Sequence, residues 1–369
     1  MNVFYSTLLL LLLVLIELVA IRLILKEPIP WKEVTANLNS GHILLWIFRG
    51  LEIVVYDYSL RYLGLGLIDS WPLWAIYIFA FVAWDFCFYW LHRLHHQWPA
   101  LWAIHEVHHQ GEYFSLSLGI RNSWFSSLTS IPFFTILAVV GVPLEVFIVV
   151  SSLHYVVQFY NHNRIVNKSG WLEYVLITPS HHRVHHGKNK EYINKNHSGT
   201  LVIWDKLFGT FQEEREDIVM EYGIRNPVNS HNPLWQNGKP IVQWLGKYKV
   251  WPLKSSFSPK QFSSLWIGLG GILLFMLLLV YIYYETQWPA SLKAVFFSYL
   301  FMNTLANGGL SDGKSWALYA WLLFSVLGGA GILFFYADSM HIIAQFLLIF
   351  LAFHAFMGLF IHFYRKQST

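Results

Sequence analysis

Long apolar runs dominate this chain and are broken by one extended polar stretch. Residues 3 to 25 are almost continuously hydrophobic, and about 20 such residues cross a bilayer. Further runs cover residues 42–60, 72–91, 262–284, 291–307, 315–336 and 341–364. Residues 125–160 hold two more, separated at Gly141-Val142-Pro143. That turn signal predicts a hairpin that dips into the membrane and returns to the same side. From His162 to Lys260 the chain is polar and rich in Gly, Asn and Pro, which marks the large water-exposed part. The pattern predicts an all-α, multi-pass integral membrane bundle of about nine spans carrying a polar cap. It divides the chain into N-terminal membrane helices (1–71), a central part with the cap (72–260) and C-terminal membrane helices (261–369).

Charge placement orients this bundle. No basic residue precedes the first run and no small-residue cleavage site follows it, so it reads as an uncleaved span. Arg22, Lys26 and Lys32 follow it, which puts its C-terminal end in the cytoplasm. Two more spans bring His92 out on that side, the hairpin returns His162 there, and four further spans leave Arg365 and Lys366 there too. Within the spans, Arg49 and Glu52 are three apart and can pair. Glu17 is a carboxyl group inside an apolar run to which the sequence assigns no role.

Composition agrees with a bilayer. Hydrophobic residues make up 55% of the chain and charged residues only 12%, against about 25% charged in soluble domains. The net charge of +4 is small, and the basic surface of the polar stretch suits anionic lipid headgroups better than nucleic acid. The lone cysteine, Cys87, excludes an intramolecular disulfide and a cysteine-based metal site.

The candidate chemistry lies in histidines. His92 and His96 are four apart; His105, His108 and His109 stand at i, i+3 and i+4, and so do His182, His185 and His186. Residues so spaced share a helix face, so each cluster can aim two or three imidazoles at one point. With His162, this makes nine candidate ligands, too many for one ion and suitable for two. His95, His181 and His154 are further candidates beside them. His341, His354 and His362 are scattered and read as packing or interfacial residues.

Several functions compete for this ligand set. His105-Glu106-Val107-His108-His109 satisfies the H-E-x-x-H pattern of zinc proteases, but a protease needs about three protein ligands and leaves the other histidines unexplained. A transporter would carry its ligands near the membrane midplane, whereas these flank the spans. A metal-binding membrane protein without catalysis is also compatible. A pair of irons that activates O2 against an unactivated lipid C–H bond uses the whole set, because iron accepts imidazole and leaves positions open. Such an enzyme needs a lipid from the bilayer, O2 and an electron donor, either a pterin or a redox protein. Ligating imidazoles commonly donate their second N–H to a carboxylate or carbonyl. Asp85, seven residues before His92 on the same helical face, Asp205, and Gln158, four before His162, are the candidates for that role.

Asp85 through His96 (Asp-x-x-x-Tyr-Trp-x-His-Arg-x-x-His), His105 to His109, His182 to His186 and Trp204-Asp205-Lys206-Leu207-Phe208-Gly209-Thr210 agree in order and spacing with a known family. The chain resembles the fatty acid hydroxylase and sterol desaturase superfamily of integral membrane di-iron oxygenases, over about residues 72–215. Within it, Thr178 to Gly187, the Ile203 to Lys206 run and the extra C-terminal helices are most similar to the branch that cleaves ether lipids. Gln97 and Glu106 depart from that branch's pattern. The resemblance implies two iron ions and hydroxylation of the carbon beside an ether oxygen, with tetrahydrobiopterin as electron donor. A desaturase or a fatty-acyl or sterol hydroxylase on the same ligand set is the alternative.

Overall fold

The computed structural model describes residues 3–246 and 262–367. In chain order the α-helices are α1 (Val3–Ala20, continued by a π turn to Leu25), α2 (Trp31–Asn39), α3 (His42–Leu63), α4 (Leu73–Gln97), α5 (Pro99–His109), α6 (Leu116–Ile120), α7 (Ser126–Val140), α8 (Leu144–Asn161), α9 (Pro179–His186) and α10 (Ile203–Leu207). They continue with α11 (Pro233–Trp244), α12 (Ser264–Tyr284), α13 (Ala290–Ser311), α14 (Ser315–Leu322), α15 (Gly329–Tyr336) and α16 (Ile342–Gln367). Among the described residues no strand forms beyond one antiparallel bridge, Leu176 with Leu201. The protein is an all-α integral membrane protein, as the apolar runs predict.

Every expected span is helical, but the helices differ in how well they suit a bilayer. Five of them, Phe4–Leu25, Leu73–Gln97, Ser264–Tyr284, Ser315–Ser339 and Ile342–Phe363, are long and apolar enough to cross. The other four expected spans fall short for readable reasons. α3 carries Arg49, Glu52, Asp57 and Arg61; α7 has 15 residues; α8 contains Glu145, His154 and Gln158; and α13 contains Lys293 and a run of Asn, Thr and Ser. The expected part boundary at 260/261 lies outside the described residues. Six helices, α2, α5, α6, α9, α10 and α11, lie outside the apolar runs. α2 is only nine residues long and buries Val34 and Leu38 one turn apart, while α11 is interrupted by Pro240.

The chain packs as two units. Of the described residues, one comprises 44–227 with 240–246, the other 3–43, 228–239 and 262–367. In the second unit, the N-terminal α2 lies against α12: Asn39 donates to the Gly271 carbonyl at 3.1 Å, and a Cβ on Gly271 would come within 2.5 Å of Thr35.

The first unit is built around α4. Ile76, Ala80, Trp84 and Leu91 recur along one face and are buried against α7 and α8. The Trp84 ring stacks on Phe134 at 4.7 Å and on His154 at 4.3 Å, and Tyr56 of α3 stacks on Phe147 at 4.0 Å. Truncating an aromatic in such a core costs about 3–5 kcal/mol. The two helices expected over residues 125–160 form and are joined where expected: Gly141 ends α7 at φ 111°, a conformation that glycine reaches without steric cost. The Arg49–Glu52 pair also forms, at 2.6 Å, and Ser130 of α7 donates to the same buried carboxylate at 2.9 Å. These contacts pack α3, α4, α7 and α8 together, and the histidines emerge from the ends of α4 and α8.

Candidate metal centre

Four elements of the first unit deliver the histidines. α4 ends in His92, His95 and His96. Trp98 adopts an extended conformation and Pro99 restarts the chain as α5, at a helix position where a missing N–H costs nothing. α5 presents His105, His108 and His109. His162 caps the end of α8, where a Cβ on the facing Gly119 would sit 3.0 Å from its ring, so a larger residue there would press on the imidazole. α9 starts at Pro179 and carries His182, His185 and His186.

All nine expected ligands converge, in two groups. His92, His96, His105, His109 and His185 form one; His108, His162, His182 and His186 form the other. Within each group the candidate ligand atoms all lie within 4.8 Å of one another. Each three-histidine cluster aims two of its imidazoles at one point and the third at the other: the i and i+4 members go to one group and the i+3 member to the other. Adjacent residues differ by about 100° around a helix, so His108 and His109 diverge, as do His185 and His186. Each short helix thereby stitches the two groups together.

The arrangement of rings has a recognisable shape. In the five-histidine group, four rings form a closed circuit with centroid spacings of 4.7 Å (His92–His105), 4.9 Å (His105–His109), 4.8 Å (His109–His185) and 4.4 Å (His185–His92). The His105–His185 diagonal is 6.5 Å. His96 lies 4.7 to 5.2 Å from all four. This is a square pyramid with His96 at the apex, and none of the five rings occupies the side opposite His96. In the four-histidine group, His162 and His186 are 5.0 Å apart and each neighbours both His108 and His182. Relative to an octahedron it lacks two rings. The groups meet where His109 stacks on His186 at 4.3 Å.

The nitrogens fit a cation rather than a hydrogen-bonded cluster. Carbonyl oxygens accept from the Nδ1–H of His92 (His197 O, 2.7 Å), His108 (Arg121 O, 2.8 Å), His162 (Gln158 O, 2.8 Å) and His185 (Lys195 O, 3.0 Å). A carbonyl only accepts, so Nδ1 carries the proton in these neutral rings and Nε2 carries a lone pair. Yet Nε2 of His108 and Nε2 of His162 stand 3.2 Å apart. Two lone pairs facing each other repel unless a positive charge sits between them. Two nitrogens at right angles on one ion, each about 2.1 Å from it, are about 3.0 Å apart. The other Nε2 pairs fall in the same range: 3.0 Å for His92–His105, 3.1 Å for His109–His185, His162–His182 and His182–His186, and 3.2 Å for His105–His109.

Burial keeps these rings ready to bind. It holds the pKa of His105, His109, His162, His182 and His186 well below the ordinary value, neighbouring imidazoles adding to the effect. The same burial lowers His108 and His185 to about 4. At neutral pH they are unprotonated donors.

The three further candidates fall outside both groups. His95 contacts the Thr129 hydroxyl at 2.9 Å and stacks on His105 at 5.1 Å, bracing it. His181 packs on Phe211, and burial lowers its pKa. His154 donates from Nε2 to the Phe81 carbonyl at 3.1 Å, accepts from Thr200 at 2.6 Å, and lies between Phe81 and Trp84.

The expected orienting residues act on a loop instead of on the rings. Asp85 accepts from the Thr200 and Leu201 amides and the Trp204 indole at 2.8 to 3.0 Å. Asp205 accepts from the His197 and Ser198 amides at 2.8 and 2.9 Å and from Thr210 at 2.6 Å. Gln158 holds His162 through its backbone carbonyl; its side-chain nitrogen makes no hydrogen bond. The orientation of the imidazoles comes from backbone carbonyls, two of them on the loop that the aspartates pin.

Sequence reasoning missed that loop. Asn194 and Asn196 adopt φ of 57° and 54°, a region asparagine tolerates better than most residues. The tight path brings the Lys195 carbonyl to His185 and the His197 carbonyl to His92. The signal was the turn-rich Asn194-Lys195-Asn196-His197-Ser198-Gly199. His197 itself was also missed. Its side chain is fully buried, and its ring is 5.0 Å from that of His96.

Residues 77–210 match the fatty acid hydroxylase family model and contain both histidine groups. The chain is similar to the alkylglycerol monooxygenases. It is 36% identical over 247 residues to that of Homo sapiens, covering 65% of this chain and 52% of that protein. It is 38% identical over 189 residues to that of Xenopus tropicalis, 50% of this chain and 41% of that protein. It is also 32% identical over 162 residues to the ornithine lipid hydroxylase OlsE of Rhizobium tropici, 43% of this chain and 49% of that protein. The chain thus spans about half the length of the relatives it matches. No solved structure matches it significantly.

Proposed function

Proceeding from a fatty acid hydroxylase domain that holds nine converging histidines, we propose that this chain is a membrane-bound, O2-dependent di-iron lipid monooxygenase. Its favoured substrate is an ether lipid. The observation that carries the reading is the pair of imidazole groups whose lone-pair nitrogens face each other at ion-binding spacing. The similarity to alkylglycerol monooxygenases supports the choice of substrate class.

The reaction inserts one oxygen atom into the C–H bond beside the ether oxygen. The second oxygen atom leaves as water, with two electrons and two protons drawn from a donor such as tetrahydrobiopterin. The product is a hemiacetal, which collapses to an aldehyde and a glycerol derivative. Two iron ions, when bound, supply the activation of O2. The chain's own residues hold and orient. His92, His96, His105, His109 and His185 bind one ion, and His108, His162, His182 and His186 the other. The carbonyls of Arg121, Gln158, Lys195 and His197 keep their partner histidines in the binding tautomer. Asp85 and Asp205 keep the loop in register. The sides without a ring leave room for O2 and for a C–H bond arriving from the bilayer. We place this cap on the cytoplasmic face, from the positive-inside reading of Arg22, Lys26 and Lys32.

The test is product analysis with purified protein in lipid, a reduced pterin and isotopically labelled O2. Label in the released aldehyde, or in its hydrated form, is expected. An unlabelled alkene would mean desaturation, and a labelled hydroxyacyl chain would mean acyl hydroxylation. No oxygen uptake with any reductant would sink the enzyme reading.

A further inference from the structure

His197 is the one buried imidazole at the centre for which the foregoing account has no use. Its side chain is fully buried; the Asn194 backbone is its one hydrogen-bonding neighbour, and neither ring nitrogen reaches a partner with full hydrogen-bond geometry. A neutral imidazole has one donor and one acceptor, so burial leaves at least one of them without a partner, which is unfavourable. Its backbone is fixed from both sides: the N–H donates to Asp205 at 2.8 Å and the carbonyl accepts from His92 at 2.7 Å. The ring therefore has a set position, and its neighbours are ligand candidates. It lies 5.0 Å from His96 and 5.9 Å from both His92 and His185, all in the five-histidine group. The spacing to His96 falls within the 4.4 to 5.2 Å that separates neighbouring rings of that group.

His96 is the least secured member. It stands alone at the apex, and its Nε2 has no partner nitrogen at the 3.0 to 3.2 Å spacing that joins the Nε2 atoms around the circuit. His92 and His185, by contrast, are held by carbonyls. We propose that His197 is a reserve ligand for the five-histidine group, able to take the apical position in place of His96 by rotation of its side chain. The inference rests on the di-metal reading above. It makes the apex exchangeable between two imidazoles while the four rings of the circuit stay fixed.

Three variants of the full-length protein test this: His96→Ala, His197→Phe and the double variant, each loaded with ferrous iron. Metal content per chain and the number of imidazoles per metal, from X-ray absorption, are the readouts. The wild type should hold about two metals; fewer would defeat the di-metal reading itself and is thereby distinguishable. His96→Ala should keep about two, and the double variant should fall to about one. If His96→Ala alone falls to about one, or if the double variant keeps as much metal as His96→Ala, the reserve role is overturned. Phenylalanine fills the ring's volume without polar atoms, so metal-free His197→Phe should melt no lower than the parent. Unfolding of that variant would make the ring a structural element and would also overturn the proposal.

Discussion

The two histidine groups lie in one unit and share two helices, yet they are built differently. The five-histidine group draws on α4, α5 and α9, forms a nearly closed pyramid and has a spare imidazole beside its apex. The four-histidine group draws on α5, α8 and α9 and has no such neighbour among the described residues. Its members His108 and His162 are locked by the carbonyls of Arg121 and Gln158, which lie outside the Asn194–Asn196 loop. One group is redundant and tied to a loop; the other is minimal and tied to helix ends. A minimal group should fail completely on loss of one ring, and a redundant one should fail only by degrees.

The largest contrast is expected from His182→Ala. With four imidazoles and no replacement, that group should lose its metal, leaving about one metal per chain by elemental analysis and at least a 100-fold loss of turnover. Retention of both metals would erase the asymmetry. A smaller effect is expected from Asp205→Ala. This carboxylate holds the His197 and Ser198 amides, so its loss should loosen the loop that orients His92 and His185. Metal affinity should fall about 10–100-fold, and in the five-histidine group alone. Equal weakening of both groups in a metal titration would show that the loop serves the whole centre.

Acid should act on both groups together and so bounds the comparison from the other side. Burial holds His108 of one group and His185 of the other at about 4. In the unfolded chain these rings return to the ordinary value near 6.5. Below that value the unfolded state takes up protons that the folded state refuses. Stability of the metal-free protein is therefore full above about pH 6.5 and is lost as pH falls toward 4. Denaturant melts across that range should show a continuous decline. A flat profile would contradict the burial of these rings.

The order and extent of the apolar runs sufficed to locate α1, α3, α4, the α7–α8 hairpin and the helices from α12 to α16, because helices are written in local pattern. All nine histidines that converge were also legible, eight of them because their spacing of three and four is a helical spacing, and His162 as a lone histidine at the end of the second hairpin helix. His95, His181 and His154 obey the same spacing but face Thr129, Phe211 and Phe81, and nothing local distinguishes them. The roles of Asp85 and Asp205 were misjudged for the same reason. Asp85 reaches Thr200 and Leu201, more than a hundred residues away, and no periodicity encodes such a contact.

By itself, then, the sequence determined which residues are ligand-capable and which segments are helices, since both follow from side-chain chemistry and short-range geometry. Only the tertiary structure decided that His108 parts from His105 and His109, that His185 parts from His182 and His186, and that His197 stands beside His96. Those outcomes depend on how α4, α5, α8, α9 and the Asn194–Asn196 loop pack in three dimensions. Packing is set by contacts between distant residues, which a linear pattern does not carry.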